Sequence, residues 1–352
     1  MRTTRWWIDR LRESRSLPSE GYLSILNSTD SEVRGYLSAQ AREVAHSNFG
    51  HKVYVRGLVE ITNRCRNNCL YCGIRLSNSE LRRYSLTHAQ ILESCREGYR
   101  LGFRTFVLQG GEEPSRSDSS IVELVERIRA EFEDVAITLS LGEMEPKLYQ
   151  RLFDAGANRY LLRHESHNAE HYRKLHPRAM SLERRLRCLD ELKQIGYQVG
   201  TGIMVGSPHQ TTEHITEDIK YIEQFKPEMI GIGPFIPHHA TPFAHEAAGS
   251  IEQTLKLISI FRLIHPRALI PSTTALATLS CDGRERGILA GANVAMPNIS
   301  PPEGRGDYSL YDNKASYGSE SGEGLRILSD RLEAIGYEIS FERGDFAPNI
   351  IG

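Results

Sequence analysis

The chain has 352 residues, with 43 Lys+Arg against 45 Asp+Glu and a formal net charge of −2. Hydrophobic residues make up 39% and charged residues 25%, the balance of a soluble globular protein. A near-neutral charge argues against a general nucleic-acid binder, and no run approaches the ~18 apolar residues of a membrane span.

The N-terminal run MRTTRWWIDRLRESRS is basic but lacks the apolar core of a signal peptide. The expected compartment is therefore a reducing cytoplasm, where cysteines are not read as disulfides. Residues 1–48 read as a helical extension. From there a junction recurs: an amphipathic stretch ends in Gly, a few polar residues follow, and an apolar run begins. It occurs at Gly102, Gly156, Gly196 and Gly291. Gly after a helix takes the left-handed conformation that ends it, and the apolar run reads as a buried parallel strand.

This punctuation predicts strands at about 53–61, 104–109, 135–141, 159–164, 198–205, 228–233, 268–274 and 292–297. Helices are predicted at about 87–101, 118–132, 145–155, 181–195, 211–225, 251–264 and 284–290. Thr87 and Gln90 have capping-box spacing, Ser181 and Thr211 are caps, and Pro227 and Pro266 follow helix ends. Eight alternating units predict an α/β fold, a complete (β/α)8 barrel over residues 49–300. An open doubly wound sheet is the alternative. Residues 301–352 form a C-terminal extension. It holds a polar, Gly-rich segment (303–324), a helix near 325–335 and a possible strand at 337–342.

Of the six cysteines, Cys65, Cys69 and Cys72 lie within eight residues, at the C-terminal end of the first strand. That end is the catalytic face of such a barrel. Three thiolates at C-x3-C-x2-C spacing can hold three irons of a cubane and leave the fourth open. Structural zinc, the competing reading, wants four ligands, and no second Cys pair is present. Cys95 and Cys188 fall in helical patterns and Cys281 in a polar turn, as incidental residues.

Other strand ends carry polar residues. The second ends in Gln109-Gly110-Gly111-Glu112, where glycines let backbone approach a ligand. The third carries Thr138 and Ser140, further candidates for holding a cofactor. The fourth carries Arg163, His164 and Glu165, charges that are costly to bury unless they face a polar site. Arg185, on the next helix, is expected to meet Glu165. His164, His167 and His171 read as surface histidines rather than a metal site. Met204, Thr273, Thr274 and Met296 lie at later strand ends. The two threonines with Arg163 form an anion-friendly floor.

With Tyr71 before its last Cys, the C-x3-C-x2-C loop after a first barrel strand resembles that of the radical S-adenosylmethionine (SAM) enzymes. The resemblance narrows to the [FeFe]-hydrogenase maturase HydE family. It rests on RGLVEITNRCRNNCLYCGIR, FRTFVLQGGEEP, RYLLRHES, GIGPFIPHHATP and GANVAMPN and runs from about residue 10 to 345. It implies one [4Fe–4S] cluster on Cys65, Cys69 and Cys72, whose open iron binds SAM. One electron would then cleave SAM to a 5′-deoxyadenosyl radical. Gln109, Gly110, Gly111 and Glu112 match the segment that binds the methionine amino group, and Glu165, Arg185 and Met204 match other SAM-binding positions. Arg163, Thr273, Thr274, Met296, Tyr308 and Tyr311 match the inner cavity, the tyrosines covering it if the chain folds back over the mouth.

The implied substrate is a small cysteine-bound Fe(CO)2(CN) unit, with HydG and HydF as partners and a ferredoxin or flavodoxin as electron donor. Residues 314–325 contain no Cys, so a second cluster, present in some relatives, is not expected. Methylornithine synthase and biotin synthase resemble the chain more distantly. Outside enzymes, an iron–sulfur scaffold would show no SAM cleavage.

Overall fold

The computed structural model describes residues 2–315 and 321–347. Residues 316–320 of the Gly-rich segment and 348–352 of the C-terminal extension lie outside the described residues.

Three helices come first: α1 (Thr4–Ser14), α2 (Ser19–Asn27) and α3 (Ser31–Phe49). The strands are β1 (Lys52–Val55), β2 (Gly57–Thr62), β3 (Thr105–Gly110), β4 (Ala136–Ser140), β5 (Arg159–Leu161) and β6 (Gln198–Thr201). After these come β7 (Met204–Val205), β8 (Met229–Ile230), β9 (Gly233–Pro234), β10 (Val294–Ala295) and β11 (Glu338–Ser340). Between them run α4 (His88–Arg100), α5 (Asp118–Glu131), α6 (Pro146–Asp154), α7 (Ala169–Leu175), α8 (Leu182–Ile195), α9 (Thr212–Phe225), α10 (Ile251–Ile264), α11 (Thr274–Leu279) and α12 (Gly283–Leu289). Helices α13 (Pro302–Arg305) and α14 (Ser321–Glu333) follow β10. No helix of the described residues is long and apolar enough to cross a membrane.

Every pairing between two of these strands is parallel. One sheet runs β2-β3-β4-β5-β6-β8. Parallel bridges Met229↔Leu269 and Pro271↔Val294 carry it through residues 269–271 to β10. β10 then pairs with β1, Tyr54 opposite Val294. The pairings thus pass round eight segments and return to the first, giving a (β/α)8 barrel. The helix punctuation is as the sequence predicts. Gly102, Gly156, Gly196 and Gly291 all have φ between 102° and 112°. Thr87 and Gln90 form a capping box, and Ser181 and Thr211 accept N3 amides.

Four of the predicted strands are interrupted: 198–205 divides into β6 and β7, 228–233 divides into β8 and β9, and the first strand and 268–274 differ as well. The first strand is broken at Arg56. The segment 268–274 forms only isolated bridges, and Thr274 opens α11. Pro271 has no N–H to give to a ladder, and Thr273 is already the N-cap of that helix.

Alternation sorts the barrel wall. Val59, Ile61, Phe106, Leu108, Ile137, Leu139, Tyr160 and Leu162 join the large core shared with the helices. Their neighbours Glu60, Gln109, Thr138, Ser140 and Arg163 therefore face the barrel axis. The lower end is closed from below: the buried Arg159 donates to the carbonyls of Arg343 and Gly344 and to Asp345 at 2.7 Å. The upper end is the one with room for chemistry.

Candidate active site

The cysteine loop leaves β2 and packs on itself. Leu76 N donates to Asn67 O at 2.8 Å, and Asn68 Oδ1 accepts from Arg75 and Ser77. Arg83 binds the loop from behind. Its guanidinium donates to the carbonyls of Asn63, Ile74, Arg75, Leu76 and Asn78, at 2.6, 2.8, 2.5, 3.4 and 3.0 Å. The fork of donors suits a ring of carbonyls as lysine would not. Below the loop an apolar cluster of Leu175, Met204, Phe235 and Phe243 receives Leu70 and Tyr71. Tyr71 is further fixed by the buried His176, 3.2 Å from its hydroxyl.

The three thiols fit an iron–sulfur cluster. Burial, then the neighbouring Cys65, pushes the Cys72 thiol up to about 12. Burial, then Cys72, pushes Cys69 up as well. Neutral thiols do not ligate, so a cationic core that takes up their charge relieves this cost. A single zinc would draw its sulfurs to within about 4 Å of one another. Among the described residues the one group of three or more ligand atoms all within 4.8 Å is His238, His239 and Asp312, not the cysteines. The wider spacing suits a multi-iron core. Gly111 makes the cradle: a Cβ there would lie 2.4 Å from Arg64 O and 2.7 Å from Cys65 Cβ.

Around the loop the strand ends converge. Gly110 packs on Thr62 as closely as Gly111 does on Cys65. Glu112 accepts from Arg66 Nε at 2.9 Å and from the Glu143 amide at 3.0 Å. Gln109 donates to the Tyr308 hydroxyl at 3.2 Å. Tyr308 is buried because the segment after α13 does fold back over the mouth. Asn63 donates to Asp307 O, Gly73 N to Leu310 O, Asp312 N to Pro237 O, and Ala315 N to Thr278. Lys314 completes the strap by pairing with Glu60, a carboxylate only 1% exposed. Tyr311 is half-buried, and burial first raises its phenol to about 12.

Arg185 does not meet Glu165. Its Nε donates to Glu143 at 2.7 Å and its Nη1 to the Arg163 carbonyl. Glu165 instead accepts from Arg163 Nη2 at 2.7 Å. The backbone explains the exchange. Glu165 has φ +64°, a left-handed corner costly for a non-glycine. The turn carries its carboxylate back to the arginine two residues before. Asp218 of α9 holds that corner, accepting from the His167 amide at 2.5 Å with His164 Nε2 3.3 Å away.

His164 and His171 are therefore wholly buried, not on the surface as the sequence suggests. His164 bonds Thr201, and His171 bonds Ser166 and the Pro208 carbonyl. Polar partners from α9 and the β6–α9 region, invisible in a local pattern, make that burial tolerable. Among the described residues they form no metal group.

Toward the axis, Thr138 Oγ1, Arg163 Nε and Thr273 Oγ1 are buried without a hydrogen-bond partner among the described residues. Such orphans are rare unless a ligand or water completes them. Thr273 Oγ1 would lie 2.8 Å from a Cβ on Gly233, so a glycine keeps that side open. Ser140 is half-buried at its strand end, and Thr274 is half-buried in the first turn of α11. Met296 is half-buried against the inner cluster of Met229, Leu269 and Val294. Sequence reasoning missed Glu143, His176 and Asp218, since each acts on a segment far along the chain, and Arg83, whose contacts are to backbone carbonyls that no side-chain pattern marks.

The Radical SAM superfamily model matches residues 59–222. The HydE subunit of the [FeFe] hydrogenase maturase from Thermotoga maritima is 41% identical over 302 residues, 86% of each chain. The chain belongs to the HydE family of radical SAM enzymes. Its cofactors are accordingly a [4Fe–4S] cluster and SAM. The 3-methylornithine synthase of Methanosarcina acetivorans is 28% identical over 94% of this chain and 92% of its own. A crystal structure of methylornithine synthase superposes with TM-score 0.83 at 27% identity, covering 95% of this chain and 97% of that one.

Proposed function

We propose that the enzyme serves [FeFe]-hydrogenase maturation, acting on a small cysteine-bound Fe(CO)2(CN) precursor of the diiron subcluster. The observation that carries this is the extent of the likeness to the HydE subunit, 41% identity over most of both chains. When bound, the cluster and SAM supply a 5′-deoxyadenosyl radical after one-electron reduction.

The chain's own residues do the rest. Cys65, Cys69 and Cys72 hold the cluster, with Tyr71 and Met204 packing beneath their loop. Gln109, Gly110, Gly111, Glu112, Thr138, Ser140, Glu165 and Arg185 orient SAM. Arg163, Thr273, Thr274, Met296, Tyr308 and Tyr311 line the substrate cavity, and the strap over the mouth excludes water. The orphaned hydrogen-bonding groups of Arg163 and Thr273 suit the cyanide nitrogen of an anionic iron complex, which accepts hydrogen bonds.

In this reading residues 1–48 decorate a catalytic barrel of 49–300, and 301–352 pack upon it. HydG supplies the substrate, HydF receives the product, a ferredoxin or flavodoxin gives the electron, and the compartment is the cytoplasm. The test is maturation of apo-hydrogenase with HydG and HydF present. Wild type should restore hydrogen evolution, whereas Arg163→Ala and Thr273→Val should lose it while still cleaving SAM.

The second reading is methylornithine synthesis, favoured by the 0.83 TM-score over nearly the whole chain. Conversion of lysine to methylornithine without support of maturation would establish it. Biotin synthase chemistry would need further barrel cysteines, but Cys95 and Cys188 are buried in helices and Cys281 is exposed.

A further inference from the structure

Charge is unevenly placed. The chain is nearly neutral at −2, yet between Arg64 and Arg83 there are five arginines and one glutamate. Arg83 is spent on holding backbone carbonyls, and Arg66 and Arg82 pair with Glu112 and Asp307. Arg64 is exposed, adjoins the ligand Cys65, and makes no ion pair among the described residues. A second such cation lies on another segment beside the loop. Arg178 is exposed and unpaired among the described residues, two positions before Met180, whose Sδ lies 3.7 Å from Cys69 Sγ.

The loop also exposes an apolar side chain. Leu76 is 61% exposed, one of three large hydrophobics so placed among the described residues. Its amide is tied to Asn67, between two of the cluster cysteines. An exposed apolar residue among unpaired cations is the composition of a transient docking patch, where charge steers the encounter and a small apolar contact seats it. Among the described residues none of these three side chains makes a hydrogen bond or ion pair, and they lie on the cysteine loop or on the segment whose Met180 touches Cys69.

We propose that Arg64, Leu76 and Arg178 form the docking surface for a small acidic one-electron carrier protein, which reduces the cluster through the cysteine loop. The carrier loses one electron and the cluster gains it; no proton or bond changes in that step. The inference rests on the reading of Cys65, Cys69 and Cys72 as cluster ligands. It commits to an acidic partner, because only a negative surface gains from two unpaired arginines.

The test measures 5′-deoxyadenosine formation by the reconstituted holoenzyme with two reductants, dithionite and flavodoxin hydroquinone. Arg64→Glu/Arg178→Glu should raise the apparent KM for flavodoxin about tenfold or more and abolish its salt dependence. Leu76→Asp should raise it as well. The dithionite-driven rate should be unchanged in both. Arg5→Glu/Arg10→Glu, on α1, should leave the flavodoxin KM as in wild type. An unchanged KM in the Arg64/Arg178 variant overturns the proposal. So does an equal rise in the α1 variant, or a parallel fall with dithionite. If wild type with dithionite cleaves no SAM, the ligand reading itself fails and the docking surface with it.

Discussion

Arg185 donates to the Glu143 carboxylate at 2.7 Å, and both side chains are less than a tenth exposed. Arg184 shares the same carboxylate at 3.1 Å. A buried guanidinium without its partner is expensive, roughly 3–5 kcal/mol when one member of the pair is removed. Arg185 also donates to the Arg163 carbonyl, so the pair holds the strand end that carries Arg163 and Glu165. Glu143→Ala should therefore lower stability by an amount of that order. It should weaken SAM binding about ten- to a hundredfold while iron content stays normal. Equilibrium dialysis against SAM checks it, and Glu143→Gln should lie between. An unaltered SAM affinity in Glu143→Ala would separate Arg185 from the cofactor.

Much of the scaffold was legible because its signals are local. A glycine after α4, α6, α8 and α12, a threonine three residues before a glutamine, and three cysteines on one loop can be read without the rest of the chain. The meeting of Gln109 with Tyr308 was legible only in outline, since it needed the extension to fold back. The partner of Arg185 was not legible. The left-handed turn at Glu165 reverses its carboxylate, and nothing in the residue itself announces φ +64°. The burial of the histidines escapes the sequence for a related reason: Asp218 lies 51 residues from His167, and Ser207, whose hydroxyl is 3.3 Å from His171 Nε2, lies 36 residues from it. Burial of a polar group depends on such distant partners, which periodicity does not encode.

Arg83 makes five bonds to carbonyls of the segment carrying the cysteines. At about 1 kcal/mol net for each good bond, less for the longest, it is the main tie on that loop. Arg83→Met should leave the barrel folded by circular dichroism but lower the iron retained after anaerobic reconstitution to below about half, with faster loss to a chelator. Arg83→Lys should recover only part, because an ammonium cannot span the fork. Full iron retention in Arg83→Met would show that the loop holds itself.

Acid should destabilise the fold through its buried histidines. Burial lowers His164 and His176 to about 3 and His171 to about 4, from an ordinary value of 6.5. The unfolded chain therefore binds more protons between pH 6.5 and those values, and stability falls as pH falls through that window. Each histidine contributes about 1.4 kcal/mol per pH unit there. Burial raises the Asp218 carboxyl, which works the other way as pH rises above 3.8. Denaturant midpoints of the apoprotein should drop steadily from pH 7 to pH 5. His176→Gln should make that decline shallower by about one proton. A flat profile across this range would contradict the burial of all three.

The strap over the mouth hangs on Lys314 and Glu60. Glu60 is 1% exposed, and its second oxygen accepts from Asn298 Nδ2 at 2.8 Å. Lys314→Met would leave that carboxylate half-partnered in the barrel interior, at a cost of about 3 kcal/mol or more. The strap should then open more often. Limited proteolysis should cut within residues 303–324 at least several times faster than in wild type, since cleavage follows the population of the opened segment. Glu60→Gln alone should be milder, because an amide is cheaper to bury than a charge. The double variant Lys314→Met/Glu60→Gln should regain most of the lost stability, a coupling that two independent sites would not show. Additive losses in that cycle would mean the pair does not secure the strap, and that Tyr308 and the backbone bonds to Asn63 and Gly73 carry it.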